Sequence, residues 1–386
     1  MLRRTLVLAT AAACTAALAG AMAAGAVTPD HHGATGRAAD SATAGRARTQ
    51  PVAPHRTPAH RSAASGVQLE TWLYPGGAGD STCTAASEYA DGRVANGALK
   101  PEYWSVDGSG AVTLETTAGG VCNTYSAAGL ADLKAHSAYQ YPTVSAMTTA
   151  DVHALVSSSS KRTAAVTQLT DFTVQHDVDG VDVDMEDYWS WSAADLTNYE
   201  KFLKQLATSL HAQGKKLLVD APAMTEDADF YDYAAVSAQG VDELEIMAYD
   251  EEFDTAPGAR CLPITPLNWL GDVTRYAQSK VPDHNRLVIA LPSYGISAPD
   301  PCDLDDVTGN IQYSDMAKSP GFSTDPATVA ARRDASSGEI RWVSGGRLYD
   351  YVDTTALDRK LAVLTSLGVT RVSVWSLGGG NPWFTR

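Results

Sequence analysis

The sequence predicts a (β/α)8 (TIM) barrel with a small antiparallel insertion before its last helix and strand. Three observations carry this reading. From residue 178 onward, short β-rich runs alternate with amphipathic helical stretches, which is how parallel βαβ units are written. About eight strands fit into the chain beyond residue 66, a length that suits one barrel with insertions. The stretch 295–355 breaks the rhythm with a hairpin pattern. A doubly wound open sheet is the competing architecture.

The chain has 386 residues. It opens with Arg3 and Arg4, an apolar run, and small residues at Ala21-Met22-Ala23 and Ala24-Gly25-Ala26, the order of a secretory signal over 1–26. Arg3-Arg4-Thr5-Leu6-Val7 also fits a twin-arginine signal loosely, so the route stays open. Cys14 lacks the large apolar residue that a lipid anchor needs three positions earlier. Residues 27–66 are rich in Ala, Pro, Arg and His and poor in large apolar side chains, so they are expected to be a disordered tail. The ordered barrel is expected over 67–386, secreted and monomeric, with no membrane span once the signal is removed.

Beyond residue 66 the chain carries 22 basic and 43 acidic side chains. A surface that acidic repels phosphate backbones and makes nucleic acid an improbable partner. Without Cys14 four cysteines remain, Cys83, Cys122, Cys261 and Cys302, an even number for an oxidising compartment. Their spacing matches no compact zinc motif, and the two shortest loops pair Cys83 with Cys122 and Cys261 with Cys302.

The strands are expected at LETWLYP (69–75), YWSV (103–106), YPTVSA (141–146), VDGVDVDM (178–185), KLLVDAP (216–222), LEIMAY (244–249), RLVIALP (286–292) and RVSVWSL (371–377). Leu196, Tyr199, Phe202, Leu203, Leu206 and Leu210 recur at helical spacing between a Ser192 cap and a Gly214 stop. A second helix follows Pro266, and a third runs from about Thr355 to Gly368. Gly345-Gly346 marks the hairpin turn within 340–352.

The most informative string is Asp179-Gly180-Val181-Asp182-Val183-Asp184-Met185-Glu186. Strand alternation puts Asp182, Asp184 and Glu186 on one face, rising toward the C-terminal rim of a barrel. Three acids so close cannot all ionise freely, and one becomes a proton donor near neutral pH. The same spacing also suits a Ca²⁺ or Mg²⁺ site, or acids solvated at a strand end.

This string resembles the D-G-x-D-x-D-x-E signature of glycoside hydrolase family 18, the chitinase family. Met247-Ala248-Tyr249-Asp250 matches its M-x-Y-D element, and Trp375 stands where the family has a tryptophan on the last strand. The W-x-L-G phrase is similar to the bacterial branch with spore-cortex hydrolases. The resemblance implies Glu186 as proton donor and Asp184 as the group that grips a 2-acetamido substituent. Asp182 would tune Asp184 by sharing a proton or hydrogen bond, Tyr249 would bind the acetamido oxygen, and Asp250 a sugar hydroxyl. Trp375 offers a ring for a sugar to stack on. Met247 either packs in the barrel or touches substrate. Trp189, with Trp191, forms a rim subsite or packs the loop. Asp179 and Gly180 set the start of the strand.

Two departures stand out. YPTVSAM (141–147) replaces the S-x-G-G phrase, and Glu245 points inward where the family often has Asn. The implied function is retaining, substrate-assisted hydrolysis of β-linked glycans containing N-acetylglucosamine, in chitin or peptidoglycan, with no cofactor or metal. The alternatives are a lectin-like protein on the same barrel and an endo-β-N-acetylglucosaminidase acting on N-glycans.

Overall fold

The computed structural model describes residues 67–73, 88–89, 92–94, 97–116 and 124–385. The signal segment, the tail, Cys83 and Cys122 lie outside the described residues.

The described chain runs β1 (Gln68–Leu73), β2 (Ala98–Val106), β3 (Val112–Leu114), α1 (Ala127–His136), β4 (Tyr139–Gln140), β5 (Thr143–Ala146), α2 (Thr149–Val156), α3 (Ser159–Gln175) and β6 (Gly180–Met185). It continues through α4 (Ala193–His211), β7 (Lys216–Pro222), α5 (Tyr233–Ser237), β8 (Glu243–Met247), α6 (Leu267–Lys280) and β9 (Leu287–Pro292). Eight parallel strands close on themselves: β1, β2, β5, β6, β7, β8, β9 and the last strand, β14 (Arg371–Leu377). Pairing of β14 with β1 completes the ring. That contact rules out the open sheet, because an open sheet leaves both edge strands unpaired.

Local chemistry explains the elements. Ser192 and Asp195 form a reciprocal capping box at the start of α4, whose Tyr199, Phe202, Leu203, Leu206 and Leu210 are buried against the barrel. Gly214 follows with φ +70°, the left-handed conformation that ends a helix cheaply only at glycine. The outer face of β6, with Val181, Val183 and Met185, joins the same apolar layer. At Gly180 a Cβ would lie 2.1 Å from the Lys216 carbonyl oxygen, so β6 can begin this close to β7 only with glycine.

The insertion lies between β9 and the last helix. Its strands are β10 (Gly295–Pro299), β11 (Thr308–Ile311), β12 (Ile340–Ser344) and β13 (Arg347–Tyr351), antiparallel in the order β11-β10-β13-β12. Two short helices, α7 (Tyr313–Met316) and α8 (Pro326–Arg332), lie within it, and α9 (Thr354–Ser366) follows. Gly345 and Gly346 have φ +60° and +80°, as a two-residue hairpin turn with two left-handed positions requires. Met316, Ile340, Trp342, Tyr349 and Tyr351 give the insertion a small core of its own. A Cys261–Cys302 disulfide, with Cα atoms 4.8 Å apart, ties the loop after β8 to the loop after β10.

Candidate active site

The polar side chains of the barrel interior are stacked in tiers. At the N-terminal end, Arg371 of β14 binds Glu70 of β1 at 2.7 Å and Glu243 of β8. One tier up, Lys100 of β2 is fully buried. Its ammonium bonds Glu245 and lies 3.6 Å from both Glu70 and Asp182. The C-terminal tier holds Asp184, Glu186, Tyr249 and Trp375.

Asp182 and Asp184 are both buried, whereas Glu186, the first residue beyond β6, is half-buried. Asp182 Oδ2 accepts hydrogen bonds from Trp72 Nε1 at 3.0 Å and Thr143 Oγ1 at 2.9 Å. Asp182 is therefore bound by β1, β2 and β5, and its hydrogen bonds do not run to Asp184. Asp184 Oδ1 is buried and accepts no hydrogen bond.

Burial first, and then repulsion from Asp182, raise the Asp184 carboxyl to about 7, with Lys100 opposing the rise. Burial, then Asp184, Asp250 and Glu102, push Glu186 well above the usual carboxyl range. Glu186 thus keeps its proton to higher pH than a free carboxyl, and Asp184 beside it is raised to about 7. Asp220, on β7, is buried with neither oxygen accepting a hydrogen bond, and burial and Asp182 push it well up. Asp182 and Asp220 thus form a coupled carboxyl pair inside the barrel.

The backbone at Glu186 is locked. Glu186 N–H donates to Ala146 O at 2.9 Å, and its own carbonyl accepts from Trp191 Nε1 at 3.0 Å. Asp187 follows at φ +61°, turning the chain sharply. Its carboxylate accepts from Thr149 N at 3.0 Å and Ser190 Oγ at 2.8 Å. Asp250 makes the same left-handed turn, at φ +68°, after Tyr249.

Tyr249 and Met247 are half-buried, and Asp250 is exposed and accepts a hydrogen bond from the Tyr294 hydroxyl. Trp375 packs edge-on to Trp72 with centroids 5.4 Å apart, and its peptide bond to Ser376 is cis. Trp191 is buried against Tyr188 and Tyr199, which makes it loop packing, whereas Trp189 stands 45% exposed. Asp179 sits at the other end of β6, accepting from Gln140 N at 2.8 Å. In place of the S-x-G-G phrase, Thr143 supports Asp182 and Ser145 Oγ lies 3.4 Å from the Trp104 carbonyl.

Glu245, the unexplained inward acid, is the hydrogen-bonding partner of Lys100. Asp182, Asp220 and Glu245 bring one oxygen each within 4.8 Å of one another, a spacing that suits a cation. The cation in contact with this group is the Lys100 ammonium. Sequence reasoning did not single out Lys100, Glu70, Trp72, Thr143 or Asp220.

The sequence model of glycosyl hydrolases family 18 matches residues 147–380, more than half of the chain. The chain belongs to this family. YdhD of Bacillus subtilis, named a sporulation-specific glycosylase, is 26% identical over 246 residues, covering 61% of this chain and 56% of that protein. The chain therefore matches little more than half the length of that relative. Among solved structures, a chitinase from Chromobacterium violaceum superposes with a TM-score of 0.65 at 21% identity, over 82% of this chain and 96% of that one. The spore cortex-lytic enzyme SleL of Bacillus megaterium gives 0.61 at 14% identity, over 82% and 72%. At these identities the structural likeness shows the fold, a family 18 barrel, and the insertion between β9 and α9 is part of it here.

Proposed function

We propose that this family 18 glycosidase is an exported enzyme that cleaves β-linked polysaccharides containing N-acetylglucosamine, chitin-like chains or peptidoglycan, with retention and with assistance from the substrate. The observation that carries the reading is Asp184: a buried carboxyl whose Oδ1 accepts no hydrogen bond, two residues from the proton donor on the same wall. An acid beside the donor is badly placed to attack the opposite face of the anomeric carbon. It is well placed to accept the N–H of a 2-acetamido group.

In this reading Glu186 gives its proton to the glycosidic oxygen as the bond breaks. The acetamido carbonyl oxygen attacks the anomeric carbon in the same step, an intramolecular reaction with a large proximity advantage. Ionised Asp184 holds the N–H of the resulting oxazolinium, and the Tyr249 hydroxyl holds its oxygen. The Glu186 carboxylate then takes a proton from water, which opens the ring from the face the leaving group occupied and restores the acid. Trp375 supplies the surface under the sugar ring.

The export reading is supported by Arg3, Arg4 and the apolar run behind them, and by a disulfide of the oxidising-compartment type. N-terminal sequencing of protein recovered from culture medium checks it, expecting a start after Ala23 or Ala26.

Hydrolysis assays on chitin oligomers, purified peptidoglycan and a high-mannose glycoprotein test the substrate class. Release from the first or second is expected. Release from the glycoprotein alone moves the assignment to N-glycans, and release from none overturns it. NMR of the first-formed product must show the retained anomer.

A further inference from the structure

We infer that Lys100 is a positioning residue of the glycosidase reaction, an internal counter-charge beneath Asp182 that sets the proton occupancy of Asp184. The inference rests on the catalytic reading above. Lys100 is fully buried, and its ammonium bonds Glu245 and stands 3.6 Å from Asp182 Oδ1, inside the barrel rather than at its surface.

Charged groups face it from four other strands: Glu70 on β1, Asp182 on β6, Asp220 on β7, and Glu243 and Glu245 on β8. Arg371 of β14 takes Glu70 at 2.7 Å and also binds Glu243, and Lys216 adds a second contact to Glu243 at 3.0 Å. Glu243 is therefore already neutralised from below, and Glu70 shares Lys100 with Arg371. The rest of the field of Lys100 falls on Asp182, Asp220 and Glu245. Its side chain also runs against the Trp72 ring, 4.6 Å from the centroid, and the same indole donates to Asp182. One tryptophan thus fixes both members of the pair.

The division of protons follows from these contacts. Asp182 has an ammonium and two hydrogen-bond donors, while neither oxygen of Asp220 accepts a hydrogen bond. Asp182 is the anion of the pair and Asp220 holds the proton. A fixed anion below Asp184 raises the affinity of Asp184 for a proton, and the ammonium moderates that effect, as the opposing contributions to Asp184 record. Lys100 keeps its charge because the acids around it outweigh the cost of burying it. Its task is to let Asp184 lose its proton near neutrality while Glu186, farther along the strand, keeps one.

The sign is fixed by charge. Removing a cation makes every neighbouring carboxyl hold its proton to higher pH, and removing an anion does the reverse. Lys100→Met should move the acidic limb of kcat/KM upward by about one pH unit or more. The fall at pH 6 should lie in kcat, with KM within about twofold. Glu245→Gln should move the same limb downward, and the double variant should return it toward its original position. A residue that merely filled space would lower stability and leave the limb where it was.

The closing experiment is a ¹³C-carboxyl NMR titration of Asp184 in the unliganded full-length protein, assigned by Asp184→Asn and repeated in both single variants. It needs no substrate, so a failure of the glycan assignment cannot be mistaken for a failure here. Opposite displacements of the Asp184 titration are expected. An unmoved titration in any folded variant overturns the proposal. If Lys100→Met does not fold, Glu245→Gln decides alone.

Discussion

Among the described residues two lysines are fully buried, and they are buried differently. Lys360, on α9, donates to Thr265 O at 2.8 Å, Ser337 O at 3.1 Å and Glu339 Oε1 at 2.7 Å. All three protons of its ammonium are used. Glu339 in turn accepts from Ile264 N at 3.0 Å and Thr265 N at 2.9 Å. This is a closed network that clamps the segment before β12 and the loop before α6 onto α9. Lys100 has one hydrogen bond to Glu245 and two carboxylates at 3.6 Å, an arrangement rich in charge and poor in directed bonds. The difference teaches that burial alone says nothing about role: a saturated ammonium fixes structure, and an undersaturated one among acids shapes a field.

The largest expected effect lies above that field. Glu186→Gln removes the transferable proton but leaves size and backbone contacts in place. Turnover should fall about 10²–10⁴-fold, the range of a lost general acid, with the melting temperature nearly unchanged and oligosaccharide binding kept. Calorimetric titration with a chitin oligomer beside a rate assay separates the two. Equal loss of binding and turnover would show that Glu186 is structural, as Lys360 is.

Lys360→Met tests the other half of the comparison. Removing one partner of a buried pair leaves Glu339 as an uncompensated buried charge, which costs about 3–5 kcal/mol. Urea unfolding should report that loss, while kcat and its pH profile stay close to wild type in conditions where the protein is folded. A moved pH profile would erase the distinction between the two lysines.

The contrast also explains what could be read in the sequence. Strict alternation in Asp182-Val183-Asp184 put two acids on one face, and the same alternation turned Glu245 inward. Lys100 escaped because β2 is irregular. Its pairing with β5 shifts between Glu102 and Trp104, so alternation counted back from Tyr103 and Trp104 does not carry to residue 100. Asp220 sits in an apolar run that reads as an ordinary barrel strand, and only register against Glu245 shows what it faces. Periodicity gives faces within a strand; partners across the barrel need closure.

Asp184→Asn sharpens the account of the field through stability. A carboxyl raised from 3.8 to about 7 on folding holds a proton that the unfolded chain has lost. Its contribution to stability is therefore fully present below pH 3.8, is lost progressively between there and about pH 7, and is gone above that. Asn is neutral throughout. Relative to its difference from wild type at pH 3.5, the variant should gain in thermal unfolding as pH rises from 4 to 7 and gain no further by pH 8, while its turnover falls throughout. A stability difference independent of pH would mean that Asp184 is not the strained carboxyl of the cluster.

The smallest effect should come from the rim, where a second matched pair repeats the lesson of the lysines. Trp191 and Trp189 are two residues apart in one loop. Trp191 donates to the Glu186 carbonyl and packs on Tyr188 and Tyr199, so it holds the backbone at Glu186. Trp189 meets Tyr188 only edge-on, at 6.2 Å, and is left 45% exposed. An indole held by one edge-on contact and half exposed contributes little to folding, yet it can stack on a sugar. Trp189→Ala should leave thermal unfolding unchanged and raise KM for long oligomers by a few-fold, about 1 kcal/mol at most. It should leave the shortest cleavable oligomer unaffected, because that substrate does not extend past the catalytic tier. Steady-state kinetics across an oligomer series provides the check. A KM that rises equally for every chain length would place Trp189 at the reacting sugar instead, and one that never rises would make it surface.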